Sequence, residues 1–253
     1  MNLMDSKLTH TAAIILAAGR GSRMKAKSKN KVAFKLAGAP MITHTVKHLR
    51  DAGITQIIAV VGFQADSVRK ALDGEVLYAI QSEQLGTGNA PKYALPLIPA
   101  SVKTVLVVYG DDSAFYPPSL FAEMVAKKES ENCDLLFLTI HKDAPTGLGR
   151  IVRDKAGKIL RIVEEKNATE NERQIKEINT GFYCFDKQFL FDYIGKIEKN
   201  SLTGEYYLPD MIEIALKNSK KVEAYFVKDD SIWHGVNDRK DLARAKEKLK
   251  HKL

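Results

Sequence analysis

Apolar positions fall into short unbroken runs along the chain, separated by stretches that read as helices. Ala12–Ala18 is an apolar run of strand length that stops abruptly in Gly19-Arg20-Gly21-Ser22-Arg23-Met24. Ile57–Val61, Val76–Ile80, Thr104–Tyr109 and Asp134–Ile140 read as further strands, and Thr104–Tyr109 runs into Gly110-Asp111-Asp112. Between them Pro40–Ala52, Ala65–Leu72, Ala90–Leu97 and Pro117–Ser130 read as helices. Pro40 sits in the first turn of its helix and Gly53 lies past the end. Pro96 is expected to break the third helix. Buried strands alternating with helices predict a parallel sheet covered on both faces. Ligands of such sheets bind beyond the carboxyl ends of the strands. The Gly19 loop and Gly110-Asp111 both occupy that position.

The texture changes at Gly147. Arg150–Arg153 and Lys158–Val163 flank Lys155-Ala156-Gly157, a hairpin signal. Glu164-Glu165-Lys166 and a polar run to Lys176 follow and read as a mobile loop. Ile178–Phe185 reads as a strand with a polar start, Leu208–Lys217 as a helix and Val222–Val227 as a strand. Leu242, Ala245, Leu249 and Leu253 share one face of an amphipathic closing helix over 237–253. No Pro/Gly linker, repeat or low-complexity segment divides the chain. The pattern predicts one domain over 1–253, with lobes at about 10–140 and about 141–236.

The chain has 253 residues, 45% hydrophobic and 28% charged, a composition that can bury a sizeable core. Ala12–Ala18 is too short to span a membrane, so no membrane contact is expected. A signal peptide is not expected, because cleavage there would remove the Gly-Arg loop. Cys133 and Cys184 lie in apolar runs and form no Cys-x-x-Cys, which reads as two buried thiols of a cytoplasmic protein.

Net charge is +8, and the excess is local. Arg20, Arg23, Lys25, Lys27, Lys29 and Lys31 follow one another without an acid. In Arg239–Lys252 the bases alternate with Asp241, Glu247 and apolar residues, as on the solvated side of a helix. The first cluster lies on the glycine loop, where the backbone can approach an anion and the bases supply fixed charge. That points to a polyanionic small molecule. No aromatic residue is interleaved to stack bases, so nucleic acid is not expected. Two familiar phosphate signatures fail. A dinucleotide fingerprint needs a glycine where Met24 stands, and no Gly-Lys-Ser/Thr tripeptide follows the first glycine.

Several motifs line up in order. Leu16 to Met24 is followed by Lys31, Leu36-Ala37-Gly38-Ala39-Pro40-Met41, Gln81-Ser82-Glu83-Gln84-Leu85-Gly86-Thr87-Gly88 and Tyr109-Gly110-Asp111. The second half adds Pro145-Thr146-Gly147-Leu148-Gly149-Arg150-Ile151-Val152, Ile162-Val163-Glu164-Glu165-Lys166, Glu177-Ile178-Asn179-Thr180-Gly181 and Gly235-Val236-Asn237-Asp238-Arg239. The ordered set resembles the sugar nucleotidyltransferases over nearly the whole chain. Within that family it is most similar to the N-terminal uridylyltransferase domains of the bifunctional enzymes that make UDP-N-acetylglucosamine. The resemblance implies an α/β fold: a Rossmann-like mixed, mostly parallel sheet with helices on both faces and a smaller sugar-binding lobe. It also implies one reaction, in which a sugar 1-phosphate attacks the α-phosphorus of UTP and pyrophosphate leaves. The implied sugar is N-acetylglucosamine; another sugar phosphate, such as glucose 1-phosphate, or another nucleoside triphosphate is the alternative. Such catalysis is mostly positioning and charge compensation.

The resemblance also implies roles. Leu16, Ala17, Ala18, Gly19 and Gly110 would line the nucleotide, and Gln81, Gly86 and Thr87 would read the uracil. Arg23 would grip the outer phosphates and Lys31 the phosphates around the reacting centre. Asp111 and Asn237 would hold Mg²⁺, and Gly149, Glu164 and Asn179 would contact the sugar. Taken alone, each residue has a plainer reading. Lys31 could be one more solvated base, Gln81 a strand cap, Asp111 a turn residue, Glu164 the partner of a neighbouring base and Asn237 a helix cap.

Three departures stand out. Asn30 replaces the family's usual Pro before the lysine, the Arg23-to-Lys31 spacing is slightly long, and Asp112-Ser113-Ala114-Phe115 replaces a Pro-Leu-type segment. The residues contain no hexapeptide repeats, so neither acetyl transfer nor a β-helix trimer is expected. A non-catalytic nucleotide-sugar sensor on the same fold is a further alternative, disfavoured because Arg23, Lys31, Asp111 and Asn237 are all present.

Overall fold

The computed structural model describes residues 8–24 and 28–250. Lys25, Lys27 and Leu253 lie outside the described residues, and Leu249 is described in its backbone only. The strands in chain order are β1 (Thr11–Ala17), β2 (Lys35–Leu36), β3 (Ala39–Pro40), β4 (Gln56–Val61), β5 (Leu77–Ile80) and β6 (Thr104–Tyr109). They continue with β7 (Leu135–His141), β8 (Arg150–Arg153), β9 (Ile159–Val163), β10 (Glu177–Asp186) and β11 (Val222–Val227). The helices are α1 (Met41–Asp51), α2 (Ala65–Leu72), α3 (Ala90–Ala94), α4 (Pro118–Glu131), α5 (Glu170–Arg173), α6 (Lys187–Tyr193), α7 (Asp210–Lys217) and α8 (Arg239–Lys250).

The main sheet runs β11-β7-β10-β6-β1-β4-β5, with β8 and β9 attached through β10, while β2 and β3 form a small separate ribbon. β1 pairs in parallel with β4 and β6, β4 with β5, and β11 with β7. β10 alone among these runs antiparallel, between β6 and β7. The sheet is therefore mixed and mostly parallel, as the motifs imply. All seven residues of β1 are buried, which explains their unbroken apolar run. Ala13, Ile15 and Ala17 pack on the face covered by α1, α2 and α4. Ala12, Ile14 and Leu16 pack on the face covered by α3, α6 and α7. α8 closes a smaller cluster, where Leu242 and Ala245 meet Met24, Leu36 and Phe115.

The structure corrects two expectations and adds one helix. The polar run before Lys176 is not all loop: Thr169 caps α5, its hydroxyl accepting from the Glu172 amide while the Glu172 carboxylate answers the Thr169 amide. That capping box is visible in the sequence as Thr-x-x-Glu. α6 was not foreseen, because Phe189 and Leu190 extend the apolar texture of β10. Asp186 caps it by accepting from Phe189. The closing helix starts at Arg239 rather than 237.

Cys133 and Cys184 are buried free thiols, and burial pushes the Cys133 thiol up to about 11. Among the described residues no helix is long and apolar enough to cross a membrane.

Candidate active site

β1, β5 and β6 all end at one cleft of about 550 Å³. Leu16, Ala17, Ala18, Gly19, Arg23 and Lys31 line it from the first segment of the chain, Gln81, Gly86 and Thr87 from the segment after β5, Asp111 from the end of β6 and Asn237 from the approach to α8. All eleven were expected at the nucleotide and metal end. Two contacts join them across long sequence separations. Lys31 Nζ forms an ion pair with Asp111 Oδ2, and an Arg23 guanidinium nitrogen donates to Asn237 Oδ1 at 2.8 Å. Asn237 does not cap α8. That work falls to Asp238, whose carboxylate accepts from the amides of Lys240 and Asp241 at 2.7 and 2.9 Å. Behind Asp111, burial first and then the Asp111 charge push the Asp112 carboxyl well above the usual carboxylate range.

The Gln81 backbone is anchored on Val61 O at 2.8 Å, and its side-chain amide faces Gly86 O at 3.4 Å. Gly86 has φ +100°, and a Cβ there would stand 2.4 Å from Tyr206 O. No side chain fits that approach, so glycine sets the path of the segment. Thr87 Oγ1 accepts from the Leu208 amide at 3.1 Å. Gly110 is not among the residues lining the cleft. It lies beneath it, donating to Leu16 O at 3.1 Å, and a Cβ would stand 3.1 Å from Val32. Its smallness draws the end of β6 against β1, which sets the distance of Asp111 from the glycine loop.

Gly149, Glu164 and Asn179 are likewise not lining residues of this cleft, but they form one group beyond it. Asn179 N donates to Gly149 O at 3.0 Å. A Cβ on Gly149 would lie 3.2 Å from Glu164 Oε1. Asn179 Nδ2 donates to the Tyr183 hydroxyl at 2.6 Å. Tyr183 and Thr87 both sit beside the Tyr109 hydroxyl, and Tyr109 lines the cleft, so the two groups are continuous. Burial raises Glu164 above the ordinary carboxylate value. The neighbouring base Arg150 pairs with Glu165 instead.

Several lining residues escaped sequence reasoning: Asn30, Gln84, Tyr109 and Glu205. Tyr109 and Gln84 lie inside quoted motifs, and the motif itself is their signal. Glu205 sits in Gly204-Glu205-Tyr206-Tyr207, which no pattern singled out. Asn30 was visible only as a departure. It is 1% exposed and is hydrogen-bonded into the floor of the cleft.

Asp111 and Asn237 offer one carboxylate and one amide oxygen. Among the described residues no group of three or more His, Cys, Asp or Glu could hold a metal. A two-oxygen set suits Mg²⁺, which keeps waters and shares phosphate oxygens, and does not suit a structural zinc.

The nucleotidyl transferase family matches residues 12–252. The chain is 42% identical over 245 residues to the "Bifunctional protein GlmU" of Enterococcus faecalis, covering 95% of this chain and 52% of that protein. It is 42% identical over 238 residues to the GlmU of Exiguobacterium sibiricum, covering 94% of this chain and 53% of the relative. The chain thus spans about half the length of these relatives. The solved structure of a "Putative Glucose-1-Phosphate Thymidylyltransferase" from Bacillus anthracis superposes with a TM-score of 0.77 over 94% of both chains at 22% identity, a likeness of fold. The match over nearly its whole length and the parallel sheet ending in this cleft agree: the chain belongs to the nucleotidyl transferase family.

Proposed function

We propose that the chain is a sugar-1-phosphate uridylyltransferase that joins UTP and N-acetylglucosamine 1-phosphate, releasing pyrophosphate. One observation carries the reading: Arg23 and Lys31 from the first segment pair with Asn237 and Asp111 from two distant ones inside one cleft at the carboxyl edge of the sheet. A cleft that gathers two cations and two metal-type oxygens suits a bound triphosphate better than a neutral ligand. The family match and relatives named GlmU, whose N-terminal domain is the uridylyltransferase, support the choice of UTP and this sugar.

The nucleophile is a phosphate oxygen already ionised near neutral pH, so no general base is required. It bonds to the α-phosphorus while the bond to the bridging oxygen breaks, and pyrophosphate leaves with the electron pair. Lys31 would compensate charge at the reacting phosphates, and Arg23 would hold the outer ones. Gln81 and the Gly86-Thr87 segment would present a polar edge to the uracil, and a hydrogen-bonding edge rejects mispaired bases strongly. Asp111 and Asn237 would hold Mg²⁺, which when bound draws charge from the α-phosphate and the pyrophosphate. Glu164 and Asn179 would exchange hydrogen bonds with the sugar.

The test is a pyrophosphate-release screen crossing all nucleoside triphosphates with a panel of sugar phosphates. Release with UTP and N-acetylglucosamine 1-phosphate is expected. Release with another pair corrects the substrates, and nucleotide binding without release under any pair leaves a sensor.

A further inference from the structure

Asn30 precedes the 3-10 turn Lys31–Ala33 and caps it, Oδ1 accepting from Val32 N at 3.1 Å. Its Nδ2 donates to three carbonyls: Ala17 at 2.9 Å, Gly19 at 3.2 Å and Phe63 at 2.8 Å. Its backbone amide donates to Ser67 Oγ at 2.8 Å, and Ser67 donates on to Gln64 O at 2.7 Å. One buried residue thus fastens the end of β1, the glycine loop, the β4–α2 turn and the turn that carries Lys31. Its side-chain donors are engaged by protein carbonyls and its amide by the Ser67 hydroxyl, which leaves none for a ligand.

The consequence for the loop follows from peptide geometry. In a trans peptide the C=O and the next N–H point in opposite senses. Holding Gly19 O against Asn30 turns the Arg20 amide to the other side. Among the described residues no backbone carbonyl accepts from the amides of Gly19, Arg20 or Gly21. Unpaired amides on a glycine loop form an anion-binding set once their directions are fixed. We propose that Asn30 is a positioning residue of the nucleotide end, setting the loop amides and Lys31 in register for the triphosphate. This rests on the nucleotidyltransferase reading above.

Asn30 has φ −66°, the value a proline ring imposes. Proline would therefore keep the shape of the turn but cut every tie to β1 and to the β4–α2 turn. That separates local backbone shape from the clamp.

Binding of Mg²⁺–UTP, the KM values for UTP and for N-acetylglucosamine 1-phosphate, and the melting temperature are measured on wild type, Asn30→Ala, Asn30→Pro and Ser67→Ala. The Asn30 variants are expected to weaken UTP about tenfold or more and to leave the sugar-phosphate KM within about twofold, while Ser67→Ala, which removes only one of the bonds of Asn30, weakens UTP about two- to threefold. A merely structural residue would move both KM values together. Unchanged UTP affinity in a folded Asn30 variant, or in Ser67→Ala where the Asn30 variants do not fold, overturns the proposal, as do parallel rises in both KM values. If the wild type binds no nucleoside triphosphate, the reading of the cleft fails and the role of Asn30 falls with it. If the wild type binds UTP and Asn30→Pro binds it equally well, only the role of Asn30 falls.

Discussion

In the cleft Lys31 rests on Asp111 and Arg23 on Asn237, while in the group proposed to meet the sugar Glu164, and Asp210 close enough to feel its charge, make no hydrogen bond or ion pair with any described side chain. The first end is cationic and internally matched. The second is acidic, partly buried and unmatched, and burial raises Asp210 to about 6. The contrast follows the chemistry each end is proposed to meet. A triphosphate with its metal can replace both members of each pair at once, so the charges are never left bare. A neutral sugar brings hydroxyl and amide donors, and half-buried carboxylates without partners are strong acceptors for them.

The largest effect is expected at Lys31. Lys31→Ala removes charge compensation at the reacting phosphates and should lower turnover roughly a hundred- to a thousandfold. It also frees Asp111, so Mn²⁺ binding to the nucleotide-free protein, followed by electron paramagnetic resonance, should tighten. Normal turnover with an intact fold would leave Lys31 only the ion-pair partner of Asp111.

Asp111→Asn keeps the shape and removes the charge that would anchor the cation. Turnover should fall about a hundredfold and recover only in part with added Mg²⁺. Uracil binding should persist, because Gln81 and Thr87 are untouched. Full turnover at limiting Mg²⁺ would make Asp111 a turn residue.

The smallest effect concerns Asp210 and is read as stability. Burial first, then Glu213 and Glu164, raise its carboxyl from 3.8 to about 6. Between those values the folded chain holds a proton that the unfolded chain has released, so stability falls as pH rises through that window and stays lowered above it. Asp210→Asn should therefore raise the melting temperature by about 2 °C at pH 8 and hardly at all at pH 4. Equal shifts at both pH values would contradict the assignment.

The lining of the cleft is largely legible in the sequence because its parts are local. β1 is an unbroken apolar run, and its abrupt end in Gly19 and Gly21 marks a strand that opens onto a loop. Asp111 is legible for the same reason, one glycine past β6. Asn30 was not, because its partners at Ala17, Phe63 and Ser67 come together only through the β1–β4 pairing. The antiparallel insertion of β10 was equally hidden, since its apolar run looks like any buried strand. Asn237 shows the opposite case. A capping role was open from sequence, and the adjacent Asp238 fills it.

The division of labour between the two ends is tested most directly by one initial-rate grid, UTP against N-acetylglucosamine 1-phosphate, on the wild type and on Glu164→Gln. Glutamine keeps the size of the side chain and weakens its acceptor. The account predicts that KM for the sugar phosphate rises about tenfold while KM for UTP stays within about twofold. A rise in the UTP value alone, or no change in either, would contradict it.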